Sequence, residues 1–171
     1  MKICIIGTGY VGLVSGTCFA DLGNEVICVD RDNNKIENLK KGKVPIFEPG
    51  LEELIKKNSK NKTLKFSTNI NKSIKDSKII FICVGTPTNV KTKNVNLKYV
   101  YQVTQSIKKN INNYKIIVNK STVPLTTGDK IERMLNSKKN KNKFEVVSNP
   151  EFLREGEAIR DFCYPDRVIV G

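Results

Sequence analysis

The sequence predicts an α/β fold, a doubly wound and mostly parallel sheet with helices on both faces. Three observations predict it. Strand-like and helix-like patterns alternate along all 171 residues, the order that builds a parallel sheet from crossover units. The segment Ile79-Ile80-Phe81-Ile82-Cys83-Val84 is continuously apolar rather than alternating, as a strand covered on both faces requires. The first strand candidate runs into Gly7-Thr8-Gly9-Tyr10-Val11-Gly12, a glycine-rich turn that opens a helical pattern.

Taken in order, a strand is expected near 2–6, a helix near 10–22, a strand near 25–30 and a helix near 32–41. The loop Val44 to Gly50 leads to a helix near 50–58, and a Lys/Asn run precedes a short strand near 64–67. The buried strand at 77–84 is followed by a helix near 97–112, a strand at 115–118 and a helix near 126–137. A strand at 144–148, a short helix near 153–161 and a last strand, Arg167 to Val170, complete the pattern.

In the G-x-G-x-x-G turn of a βαβ unit, Gly7 permits the tight turn, Gly9 lets the main chain approach a pyrophosphate, and Gly12 lets the helix pack close to the strand. The helix N-terminus offers unpaired N–H groups and a positive dipole end to an anion. Asp30 closes the second strand, about 20 residues past the turn, where a carboxylate accepts hydrogen bonds from ribose hydroxyls and repels a 2′-phosphate. Arg31 could embrace such a phosphate; the carboxylate carries more weight, so a Rossmann-type domain binding NAD is expected rather than one binding NADP.

The chain carries 30 Lys and Arg against 17 Asp and Glu, a net charge of +13, and no histidine or tryptophan. The lysines are spread with asparagines through 56–62 and 138–143 without interleaved aromatics. They read as a solvated coating and not as a nucleic-acid surface. No apolar run is long enough for a membrane span, and glycines interrupt the N-terminal apolar stretch that could pass for a signal peptide. Cysteines at 4, 18, 28, 83 and 163 form no C-x-x-C pair, and three fall in predicted strands. Such usage suggests a reducing compartment, so a cytoplasmic protein without a metal site is expected.

Parallel sheets place ligands at the carboxyl ends of their strands, which singles out three more loops. Val84-Gly85-Thr86-Pro87-Thr88 combines a glycine, a fixed turn and hydroxyls. Lys120-Ser121-Thr122-Val123-Pro124 offers Thr122 to a nicotinamide, a water or a substrate hydroxyl. Ser148 to Gly156 places Pro150 at the first turn of the short helix, so that Glu151 and Glu155, four apart, share one face and could bind sugar hydroxyls and order a water.

These loops in this order resemble the UDP-glucose/GDP-mannose dehydrogenase family. The matching pieces are Gly7 to Gly12, Phe47-Glu48-Pro49-Gly50-Leu51, Val84 to Thr88, Lys120 to Pro124, Asn149 to Gly156 and Pro165 to Gly171. The resemblance implies a two-fold NAD-dependent oxidation of a sugar C6 alcohol to a carboxylate, UDP-glucose to UDP-glucuronate. GDP-mannose, another nucleotide sugar, or a non-catalytic NAD-binding module working with a second chain are the alternatives. By matched positions, Gly7, Gly9, Tyr10, Val11 and Gly12 cradle NAD. Asp30 and Lys35 hold its adenosine side, and Thr86, Thr122 and Glu155 line the rest. Glu151, Phe152, Leu153, Arg154 and Glu155 form one wall of the sugar site. Thr122 and Glu151 position catalytic water, with Glu151 the acid/base in thioester hydrolysis. The family's nucleophilic cysteine, central helix and C-terminal nucleotide-sugar domain match nothing in residues 1–171, so the resemblance implies an NAD-binding N-terminal domain, inactive alone, of a homodimeric enzyme. Two departures from the family's pattern are Asn96-Leu97, where an acidic residue usually opens the helix, and Leu125-Thr126-Thr127 after Pro124.

Overall fold

A computed structural model describes residues 1–88 and 93–171. Among them, six strands form one wholly parallel sheet: β1 (Lys2–Ile6), β2 (Glu25–Val29), β3 (Leu64–Ser67), β4 (Ile79–Ile82), β5 (Lys115–Asn119) and β6 (Phe144–Ser148), in the order β3-β2-β1-β4-β5-β6. The order reverses between β1 and β4, the switch point at which doubly wound sheets open a crevice. Among the described residues six helices connect them, α1 (Tyr10–Asp21), α2 (Asn33–Lys40), α3 (Leu51–Lys60), α4 (Ile70–Asp76), α5 (Lys98–Asn110) and α6 (Thr127–Leu135), and α7 (Ala158–Cys163) follows β6.

Strand side chains alternate between the two faces, and both faces are covered. Ile3, Ile5, Val26 and Cys28 pack with Leu13 and Val14 of α1, Leu51 and Ile55 of α3, and Ala158 of α7. Cys4, Ile6, Ile80 and Ile82 pack with Ile74 of α4, Val100 and Ile107 of α5, and Ile131 and Leu135 of α6. At the lower edge, Lys115 is wholly buried. Its Nζ donates to the carbonyls of Ser77 (2.6 Å) and Lys75 (3.2 Å) and to Asn113 Oδ1 (3.1 Å), tying the end of α4 to the starts of β4 and β5.

Register fixes the working edge. Ile6 pairs with Val29 and with Ile82, Ile82 with Asn119, and Asn119 with Ser148. The next residue of each strand, Gly7, Asp30, Cys83, Lys120 and Asn149, therefore stands in one row along the carboxyl edge.

Four features depart from the sequence pattern. Helix α4 was not expected; it is short, and Asn69 caps it by accepting from Lys72 N at 3.0 Å. The helix expected near 153–161 begins only at Ala158. Gly156, at φ +89°, breaks any helix there, so Glu151 and Glu155 lie in a loop and share no helical face. The expected last strand is not one: Val168 and Val170 are each 67% exposed. Among the described residues, the Ser148–Gly171 amide pair ties that segment to the end of β6, and Asn149 Nδ2, one residue beyond the strand, donates to Ile169 O. β-branched propensity predicted the strand, and the missing partners override it. The first Lys/Asn run continues α3 as far as Lys60, where Lys56 and Lys57 pair with Glu52 and Asp21 instead of coating a loop.

Candidate active site

The glycine turn follows β1 and fills the switch point. Gly7 has φ +105°, and a Cβ there would lie 2.5 Å from Cys83 O. A Cβ on Gly12 would lie 2.0 Å from Gly7 O and 3.0 Å from Cys83 Cβ, so Gly12 closes the turn on itself. The close approach of helix to sheet, expected of Gly12, falls mainly to Gly16, where a Cβ would meet Cys28 Sγ at 2.4 Å. Gly9 has open space around its Cβ position. It also caps α1 without a side-chain hydrogen bond, which leaves the first-turn N–H groups, those of Tyr10 and Val11 included, available to an anion.

Asp30 faces the turn. Its Oδ2 accepts from Thr8 N (3.0 Å) and Thr8 Oγ1 (2.8 Å), its Oδ1 from Asp32 N (3.2 Å), and Lys35 Nζ lies 3.5 Å from Oδ2. Burial opposes ionisation of Asp30, but these hydrogen bonds and the Lys35 ammonium outweigh it and hold the carboxyl below its ordinary value. A cleft of about 400 Å³ opens beside Asp30, lined by Gly7, Gly9, Lys35, Gly85 and Tyr99 among others. Arg31 lies over the Tyr99 ring, 4.8 Å from its centroid.

Across the switch point, Thr86 Oγ1 donates to Thr122 O at 2.9 Å, so the loops after β4 and β5 are joined. Ser121 Oγ reinforces the joint by donating to Val84 O at 2.8 Å. Lys120, 7% exposed, donates from Nζ to Asn149 Oδ1 at 3.1 Å. Burial lowers its ammonium, and Cys83 and Glu151 oppose that shift only in part. Cys83, expected inside a strand, stands just past β4, and burial pushes its thiol up to about 12.

The loop after β6 forms a second cleft of about 220 Å³ with Lys120, Asn149, Glu151, Phe152 and Leu153 in its lining. Glu151 Oε2 accepts from Leu153 N at 2.6 Å. Arg154 points elsewhere: Nε and Nη2 grip Asp161 at 3.0 and 2.7 Å, and Nη2 pairs with Glu157. This grip holds the Asp161 carboxyl down to about 2. Glu155 is exposed, and its charge acts on Tyr10. The Tyr10 hydroxyl donates to Glu48 and accepts from Gly156 N at 3.0 Å.

The family model described as UDP-glucose/GDP-mannose dehydrogenase family, NAD binding domain, matches residues 1–171. The chain belongs to this family. It is 48% identical over 171 residues to the UDP-glucose 6-dehydrogenase of Rhizobium meliloti (strain 1021), spanning 100% of this chain and 39% of that protein. It is 50% identical over 171 residues to the UDP-glucose 6-dehydrogenase TuaD of Bacillus subtilis (strain 168), spanning 99% of this chain and 37% of that protein. Among solved structures, a UDP-glucose dehydrogenase from Pyrobaculum islandicum superposes with a TM-score of 0.93 at 35% identity, covering 99% of this chain and 40% of the other. GDP-mannose dehydrogenase from Pseudomonas aeruginosa gives 0.93 at 37%, covering 100% and 41%. The chain thus spans about two-fifths of the length of these relatives.

This NAD-binding domain of the UDP-glucose/GDP-mannose dehydrogenase family brings together most of the residues that the sequence singled out. Gly7, Gly9, Asp30 and Lys35 line the first cleft, and Glu151, Phe152 and Leu153 the second. Arg154 and Glu155 stand outside that second lining. Three residues had no role in the sequence reading. Thr8 anchors Asp30, Lys120 lines the second cleft, and Glu48 binds the loop that carries that cleft. Lys120 and Glu48 lie inside matched motifs; only their long-range partners reveal what they do.

Proposed function

We propose that the domain serves an NAD-dependent oxidation of UDP-glucose at C6 to UDP-glucuronate, supplying the NAD cradle and one wall of the sugar site. The observation that carries this reading is the single row of Gly7, Asp30, Cys83, Lys120 and Asn149, which sets the two clefts side by side on one sheet edge. The turn suits a dinucleotide: space is open at Gly9 and closed at Gly7 and Gly12. The α1 N-terminus binds the pyrophosphate, Asp30 and Lys35 the adenosine ribose, and Thr86 and Thr122 the far half. Bound NAD supplies the hydride acceptor. Phe152 and Leu153 shape the sugar cleft, while Glu151 and Thr122 order a water, with Glu151 moving its proton. The nucleophilic cysteine, the central helix and the nucleotide-sugar domain belong to the remainder of a longer, homodimeric, cytoplasmic enzyme.

A second reading, GDP-mannose oxidation, draws support from the Pseudomonas aeruginosa likeness. NADH formation by the full-length enzyme with UDP-glucose and GDP-mannose in parallel tests both. Turnover with UDP-glucose is expected; turnover with GDP-mannose alone replaces the first reading by the second.

A further inference from the structure

Glu48 is a carboxylate in an unusual place. It belongs to the loop between α2 and α3, yet it is 7% exposed and points into the protein. A buried carboxylate is costly unless its oxygens are satisfied, and here three donors satisfy them. Oε2 accepts from the Tyr10 hydroxyl and from Gly156 N (2.9 Å), and Oε1 lies 3.3 Å from Ile159 N. The Tyr10 hydroxyl in turn accepts from Gly156 N at 3.0 Å and lies 3.4 Å from Arg154 O. Burial and the Glu48 hydrogen bond push the Tyr10 hydroxyl up to about 12.

These contacts join distant parts of the chain. Tyr10 is the first residue of α1, inside the glycine turn. Gly156 and Ile159 close the C-terminal side of the loop that carries Glu151, Phe152 and Leu153. The N-terminal side of that loop is fixed separately, by Asn149 N donating to Asn119 O at 3.0 Å and by Lys120. The loop is therefore clamped at both ends, and one clamp is built on the cofactor turn.

We propose that Glu48 and Tyr10 are positioning residues that set the sugar wall against the cofactor turn without touching the sugar. This rests on the reading given under Proposed function. A carboxylate is needed because both oxygens must accept. In Glu48→Gln the amide NH₂ would face an N–H donor, of either Gly156 or Ile159, so a nearly isosteric change should still dislodge the loop. Tyr10→Phe keeps the partly buried ring, which packs against the core, and removes only the hydroxyl.

The test uses the full-length enzyme, with steady-state kinetics for the nucleotide sugar and calorimetric titration of NAD. Both variants are expected to raise the KM for the nucleotide sugar, Glu48→Gln by roughly tenfold, and to raise it by a larger factor than any loss of NAD affinity. The double variant should lose no more than the worse single one, since both act through one hydrogen-bonded unit. If Glu48→Gln folds poorly, Tyr10→Phe decides alone. An unchanged sugar KM, or an equal loss of NAD and sugar affinity, overturns the proposal. A wild-type enzyme inactive on every nucleotide sugar overturns the functional reading and this inference together, whereas an active wild type with unmoved variants overturns the inference alone.

Discussion

Asp30 is held by its own neighbours before any ligand arrives. Thr8 supplies two hydrogen bonds to one oxygen, which leaves Oδ1, bonded among the described residues to the Asp32 amide, as the less occupied acceptor. The depressed carboxyl means that the native state favours the ionised form. The stability this adds is present above the ordinary value of 3.8 and is lost as the pH falls through the lower native value. Acid unfolding of Asp30→Asn should accordingly show a shallower pH dependence below 3.8 than the wild type; a superimposable profile would contradict this. Tyr10 has the opposite sign. Its hydroxyl is raised from 10.0 to about 12, so its contribution is complete below pH 10 and disappears between pH 10 and 12. Tyr10→Phe should lose stability less steeply across that alkaline window, as thermal midpoints measured at several pH values would reveal. Asp30 was legible in the sequence because strand, turn and acid lie close along the chain. The Glu48–Gly156 clasp was not, since its partners are far apart in sequence and only tertiary packing joins them.

At the scale of elements, the glycine turn and the helix caps make separable predictions. In Gly12→Ala the added Cβ would meet backbone, not a flexible side chain. The turn must open, at about 1–3 kcal/mol in stability and with loss of measurable NAD binding; denaturant melts and calorimetry check the two halves. Asn69→Ala removes the α4 cap and should cost about 1 kcal/mol in stability, which denaturant melts would read. Lys115→Met strips the buried carbonyl of Ser77 of its donor and should cost about 1–3 kcal/mol. The first strands and helices could be read from periodicity and the glycine turn. The short α4, too brief to show a period, could not, and the Val168-Ile169-Val170 segment misled because strand propensity counts for little without a neighbouring ladder.

At the scale of the whole molecule, one sheet edge gathers the cofactor cradle, the joined loops of Thr86 and Thr122, and the wall bearing Glu151. Among the described residues no helix is long and apolar enough to cross a membrane. Four of the five cysteines are buried, and the exposed Cys163 ends α7; none is among the residues that line the second cleft. The 171-residue chain should therefore bind NAD and yet form no NADH with UDP-glucose. The most direct measurement is calorimetric titration of this chain with NAD and NADP, alongside Asp30→Ala. NAD should bind more tightly than NADP, and Asp30→Ala should weaken NAD by roughly tenfold, about 1.4 kcal/mol. Absence of NAD binding, or tighter binding of NADP, would contradict the account.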